Sequence, residues 1–196
     1  MALMDSPAAQ VRELREVLGP LPEPVAKPLL IIISGLPGTG KSYFSRKLAE
    51  RLPSVIVESD ALRKGLFTSP SYSAEESRRL FSICHRLIEE LLSDGISVIL
   101  DATNLVERHR ERLYHIAYRL QTKVVPVQIE APEELVRQRL KGRLKRVNPE
   151  DLSDADWAVY QQMKRRVEHI SRNYFAVDTS KDITPVIDKI VRQAKL

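Results

Sequence analysis

The chain has 196 residues, 43% of them hydrophobic, and carries a net charge of +5 at pH 7 with an isoelectric point near 9.4. That is enough apolar content for one domain with its own core, with or without an appendage. Cys84 is the single cysteine, which excludes an internal disulfide and makes a reducing, cytoplasmic setting the expectation. No apolar run has the length to cross a bilayer, and Met1 to Pro7 lacks the basic start and apolar core of a signal peptide.

In chain order, Val11, Leu14, Val17 and Leu18 fall at helical spacing before Pro20, Pro22, Pro24 and Pro28 interrupt, so residues 1–28 read as a helix on a Pro-rich tether. Residues 29–196 read as the main domain. It opens with the apolar run Leu29 to Ser34, a buried strand, followed by Gly-Leu-Pro-Gly-Thr-Gly-Lys-Ser at 35–42. This is G-x-x-x-x-G-K-[ST] in the context its chemistry needs, after a strand and before a helix. Gly35, Gly38 and Gly40 let consecutive amides turn toward a phosphate. Lys41 supplies a point charge to the β and γ phosphates, and the Ser42 hydroxyl is placed to ligate Mg²⁺. Gly35, Leu36, Pro37, Gly38, Thr39, Gly40, Lys41, Ser42 and Tyr43 are therefore the expected contacts of ATP.

A helix over 42–51 and a short β-rich run from Ser54 to Glu58 come next, and Asp60 and Arg63 follow at the start of a helical turn. Ser73 reads as an N-cap with Glu76 at the capping-box position, and Leu80, Ile83, Leu87, Leu91 and Leu92 mark a buried face, with Cys84 beside it in inert partial burial. Ile96 to Leu100 is the next buried strand, ending in Asp101-Ala102-Thr103-Asn104. The remaining expectations are a helix over 106–120, a strand over 123–129, helices over 132–141 and 153–174, a strand over 175–177 and a helix from Pro185. Strands that are continuous apolar runs alternating with helices imply an α/β fold with a parallel sheet covered on both faces. Ligands in such a sheet gather beyond the carboxyl ends of the strands, so Gly35, Asp60 and Asp101 are expected in one cleft.

Asp101 stands where a strand-end carboxylate meets Mg²⁺; a helix-capping aspartate has the same address, and Asn104 is the alternative cap. Asp60 and Arg63, three residues apart, pair a carboxylate able to take a hydroxyl proton with a cation able to hold a phosphate, although a silent surface ion pair has the same spacing. The densest basic segment, Arg137 to Arg146, is where a phosphate-covering lid falls (about residues 137–155), with Arg139 and Arg143 on one face and Arg143 as the candidate for transition-state charge. A solvated basic helix face is the alternative. His85, His109, His115 and His169 are not spaced as a metal site, Trp157 and Tyr160 read as packing residues, and 6% aromatic content offers no evident base-stacking platform.

The set GLPGTGKS, ESDALRK at 58–64, SYSAEE at 71–76, VILDATN at 98–104 and RQRLKGR at 137–143 resembles the P-loop kinases related to the polynucleotide 5′-hydroxyl kinase domain, including their broad branch of predicted kinases. The resemblance covers about residues 29–178 and implies a three-layer P-loop fold whose five-stranded parallel sheet has the order 2-3-1-4-5. It implies ATP and Mg²⁺ at Lys41 and Ser42, Asp60 as general base, and Arg63 on the acceptor. It also implies Asp101 with Thr103 and Asn104 at the metal and acceptor site, and lid arginines Arg139 and Arg143, the latter reaching the transferring phosphate. The expected activity is γ-phosphoryl transfer to a hydroxyl on a polynucleotide 5′ end, a nucleoside or a small metabolite. A nucleotide-dependent switch acting through a partner is the alternative. The stretch from Leu144 to Asp154 departs from the family pattern as an extended lid connection.

Overall fold

The computed structural model describes residues 7–143 and 155–194. In chain order the elements are α1 (Pro7–Val17), β1 (Leu29–Ser34), α2 (Lys41–Ala49), β2 (Val55–Glu58), α3 (Ser59–Leu66), α4 (Ala74–Ser93), β3 (Val98–Asp101), α5 (Glu107–Arg119), β4 (Lys123–Glu130), α6 (Glu133–Arg143), α7 (Trp157–Lys164), β5 (Phe175–Asp178) and α8 (Thr184–Ala194). The five strands form one all-parallel sheet in the order β2-β3-β1-β4-β5, the order that the family resemblance implies.

β1 is buried along its whole length because it has a strand on each side and helices on both faces. Its alternate side chains feed separate cores. Leu30 and Ile32 join Val57, Leu80, Leu87, Leu91, Leu113 and Ala117 under α4 and α5. Leu29, Ile31 and Ile33 join Phe44, Leu48, Ile187 and Ile190 under α2 and α8. A third, smaller cluster of Val136, Leu140 and Tyr160, with Leu36 against it, packs α6 and α7 over the loop after β1.

The N-terminal segment packs on this frame. Val11 and Leu14 are buried with the α4 and α5 core, Arg15 pairs with Asp94 at 2.6 Å, and the Val25 amide donates to the Gly95 carbonyl at 2.8 Å. Cys84 is buried completely rather than partly, and that burial pushes its thiol up to about 12, which leaves it unreactive.

The long late helix expected over 153–174 is shorter: its described part is α7, ending at Lys164. The cause is a buried cation. Arg110 is 1% exposed and donates to the carbonyls of Asn104 (2.6 Å), Glu168 (3.1 Å) and His169 (2.9 Å), while the Glu168 amide donates to the Leu105 carbonyl at 2.9 Å. A helix through 168–169 would commit those carbonyls to its own ladder and leave the guanidinium unsatisfied. Ala substitution of Leu14, fully buried beneath α1, should cost about 2–5 kcal/mol of unfolding free energy by urea titration, the range for emptying a packed site. A loss below about 0.5 kcal/mol would mean that α1 is not docked in solution.

Candidate active site

The loop after β1 is shaped by what crowds it. A Cβ on Gly35 would lie 2.5 Å from the Ile129 carbonyl oxygen of β4, so no side chain fits, and the Gly35 amide donates to the Thr103 carbonyl at 3.1 Å. Gly38 has φ 78, and a Cβ there would meet Val136 and Leu140 of α6 at 3.0 Å. Inside the turn, Thr39 Oγ1 and Lys41 Nζ donate to the Leu36 carbonyl at 2.8 and 3.1 Å, folding the lysine over the loop. α2 then starts with Gly40 at its N-cap and no capping side chain, leaving first-turn amides turned toward the loop. Loop amides, Lys41 and the helix end together make an anion cradle. Leu36 and Pro37 lie within the loop, whereas the Tyr43 side chain is 51% exposed.

β3 delivers Asp101 beside this cradle. Its side chain is buried, and Oδ2 has no hydrogen-bond partner among the described residues. Glu58 at the end of β2 sits opposite Asp101 in the parallel register. Ser42, Arg46, Glu58 and Asp101 line a cleft of about 240 Å³ together with Leu62 of α3 and with Val17 and Leu18 at the end of α1. The oxygen donors suit a hard divalent cation that keeps water and phosphate oxygens as its other ligands, and no cluster of three or more His, Cys, Asp or Glu forms a cage among the described residues. Thr103 is half-buried. Asn104, in a left-handed conformation at φ 44, donates from its amide to the Ile33 carbonyl at 2.7 Å and so latches the end of β3 to the end of β1.

Asp60 lies in the first turn of α3, two residues past Glu58, at the same edge of the sheet. Arg63 is buried. It forms an ion pair with Glu76, donates to Ser77 Oγ at 3.3 Å and lies 4.8 Å from the centre of the Tyr72 ring. Glu76 has a wider role than a capping box provides. Its amide donates to Ser73 Oγ, and its carboxylate also accepts from the Ser71 and Tyr72 amides at 2.6 and 3.2 Å.

From α6, Arg139 donates to Thr179 Oγ1 (2.9 Å), the Thr179 carbonyl (3.1 Å) and the Gly38 carbonyl (3.4 Å). Thr179 Oγ1 in turn donates to the Thr39 carbonyl at 2.6 Å, so α6 and the loop after β5 hold the glycine-rich loop from outside. Arg143 ends α6; its side chain and residues 144–154 lie outside the described residues.

Sequence reasoning did not single out Glu58 or Thr179 as site residues. Both sit at strand ends, the signal that located Asp60 and Asp101, and Thr179 follows β5 as Gly35 follows β1. The clasp of Glu76 on Arg63, 13 residues away, leaves no local pattern beyond the cap.

Residues 30–170 match the family model AAA_33, described as an AAA domain. The L-seryl-tRNA(Sec) kinase of Methanococcus maripaludis is 33% identical over 116 residues, 57% of this chain and 44% of that relative, so the chain spans less than half of its length. Chaetomium thermophilum Kti12 in complex with ADP-AlF3 superposes with a TM-score of 0.68 at 22% identity, over 82% of this chain and 96% of that one. Mycobacterium tuberculosis APS kinase in complex with AMPPNP and APS superposes with a TM-score of 0.64 at 16% identity, over 89% and 100%. With its five-stranded parallel sheet and its glycine-rich cradle, the chain belongs to the AAA_33 family, a P-loop kinase-like nucleotide-binding domain.

Proposed function

We propose that the protein is an ATP-dependent kinase that transfers the γ-phosphoryl group to an alcohol hydroxyl, with a polynucleotide end as the favoured acceptor. The observation that carries the reading is the orphaned Asp101 Oδ2, buried at the end of β3 in the same cleft that Ser42 lines. An unpartnered buried carboxylate oxygen is costly unless something bound satisfies it. Ser42 and Asp101 would hold Mg²⁺, which supplies neutralisation of phosphate charge when bound. Lys41 and the loop amides orient the β and γ phosphates. Asp60 accepts the proton of the attacking hydroxyl, Arg63 positions the acceptor, and Arg143 stabilises the transferring group. Thr103 lies beside the acceptor, while Asn104 serves through its latch on β1. A polynucleotide acceptor is supported by the motif resemblance and by the kinship with a kinase named for a seryl-tRNA.

Mutation of Lys41 to Ala should abolish nucleotide binding by calorimetry, and Asp101→Asn should remove the gain in nucleotide affinity on adding Mg²⁺. In assays with γ-labelled ATP and pooled hydroxyl acceptors, Asp60→Asn should lower labelled product by about 10² to 10⁴ fold with nucleotide affinity unchanged. Release of free phosphate alone by the wild-type chain would replace the kinase reading with a nucleotide switch.

Arg63 is held through Glu76, and its Nε is buried with no hydrogen-bond partner among the described residues. Burial by itself pushes the Glu76 carboxyl up; the hydrogen bonds from Ser71 and the Arg63 guanidinium outweigh it and hold the group down to about 2. A depressed carboxyl stabilises the fold above its ordinary value of 4.5 and loses that contribution as pH falls toward 2. The urea midpoint of Glu76→Gln should therefore lie below wild type at pH 7, and the gap should close progressively between pH 4.5 and 2. A gap independent of pH would dissociate the effect from carboxylate charge.

A further inference from the structure

On the face of the sheet covered by α4 and α5, the two helices leave an open groove of about 350 Å³ between them. Arg86 and His85 of α4 and Arg112, His115 and Arg119 of α5 line it, and its one acidic side chain, Glu89, is paired with Arg119 at 2.9 Å. Arg86 and Arg112 are exposed and form no ion pair with a described residue. Each helix repeats the pattern: Arg78, Ser82 and Arg86 are four apart on α4, and Arg108 and Arg112 are four apart on α5, with His115 and Arg119 continuing the stripe. The positive charge belongs to the arginines, because burial first, then Arg112 and His109, push the His85 imidazole down to about 4.

We propose that this groove binds the sugar-phosphate backbone of a single polynucleotide strand. The cations along both stripes are arginine without exception, and the planar guanidinium fork fits phosphate oxygens. The groove is open and shallow, and Ile116 is its one aliphatic lining residue, so it offers no deep apolar pocket to anchor a protein partner. Direction is set by topology. α4 and α5 both begin at the edge of the sheet where β2 and β3 end, so Arg78 and Arg108 lie at the end of the groove toward Arg63 and Asp60, and Arg119 lies at the far end. A strand lying along the stripes has its leading end at the edge that carries the cradle. The inference deepens the polynucleotide-acceptor reading and rests on it for its purpose; the binding itself needs neither ATP nor transfer.

Binding of a labelled 20-nucleotide single-stranded RNA to the full chain, without nucleotide, tests the proposal by fluorescence anisotropy across a salt series. The double variant Arg86→Glu with Arg112→Glu should weaken binding about tenfold or more. It should also make the slope of log affinity against log salt shallower by about 1.4, two phosphate contacts at about 0.7 each for a single strand. Lys189→Glu with Arg192→Glu, an equal charge change on α8 at the opposite face, should alter both far less. Nucleotide binding should be unchanged in both variants, which separates loss of the groove from loss of fold. Equal losses in the two variants, no RNA binding by the wild-type chain at 100 mM salt, or displacement of the RNA by polyglutamate of matched charge would overturn the assignment. Because the readout is binding, it can fail while labelled product still forms on small acceptors, or succeed while no transfer occurs.

Discussion

The parallel pairing of β1 with β3 on one side and β4 on the other is the constraint on which the site depends. Parallel strands all end at one edge, so the register that sets Ile33 against Asp101 and Val127 also sets the glycine-rich loop, the Asp101 carboxylate and the Ile129 carbonyl side by side. The oxygen of Ile129 then leaves Gly35 no room for a side chain. A slip of one residue along β3 would swap the faces of its side chains and carry Asp101 away from the cradle. Hydrophobic burial of β1 on both faces is what holds the register: Leu30 and Ile32 supply one core and Leu29, Ile31 and Ile33 the other.

Two buried arginines organise what the sheet leaves open. Arg110 gathers carbonyls from the turn after β3 and from residues 168–169, fixing the segment after α7 against α5. Arg63 gathers Glu76 and Ser77, fixing the turn before α4 against α3. Each is a charge made tolerable by a ring of acceptors, and each ring joins segments far apart in the chain. The wall carrying Asp60 and the end of β3 carrying Asp101 are thus set by polar contacts as well as by apolar packing.

Much of this was legible in the chain because its signals are local. An apolar run before a glycine-rich octapeptide announces β1 and its loop, the Ser73 cap announces α4, and the polar residue closing the apolar run of β3 marks Asp101. The sheet order came from family resemblance, since periodicity says which segments are strands and not which are neighbours. What stayed hidden was non-local. Nothing near residue 168 signals that Arg110, 58 positions earlier, claims its carbonyl, so the helical pattern ran on where the fold stops it. The docking of α1 was likewise invisible, because an amphipathic stripe does not name the surface that receives it.

The placement of α1 carries a thermal consequence. Val17 and Leu18 form part of the wall of the cleft that holds Ser42 and Asp101, and α1, an 11-residue helix, is held there by Val11, Leu14 and the Arg15–Asp94 pair and joined to β1 through a proline-rich tether. Short terminal elements of this kind detach at lower free energy than the central sheet. Warming would accordingly release this flap and widen the chamber while the β-sheet persists, at temperatures where the chain as a whole is still folded.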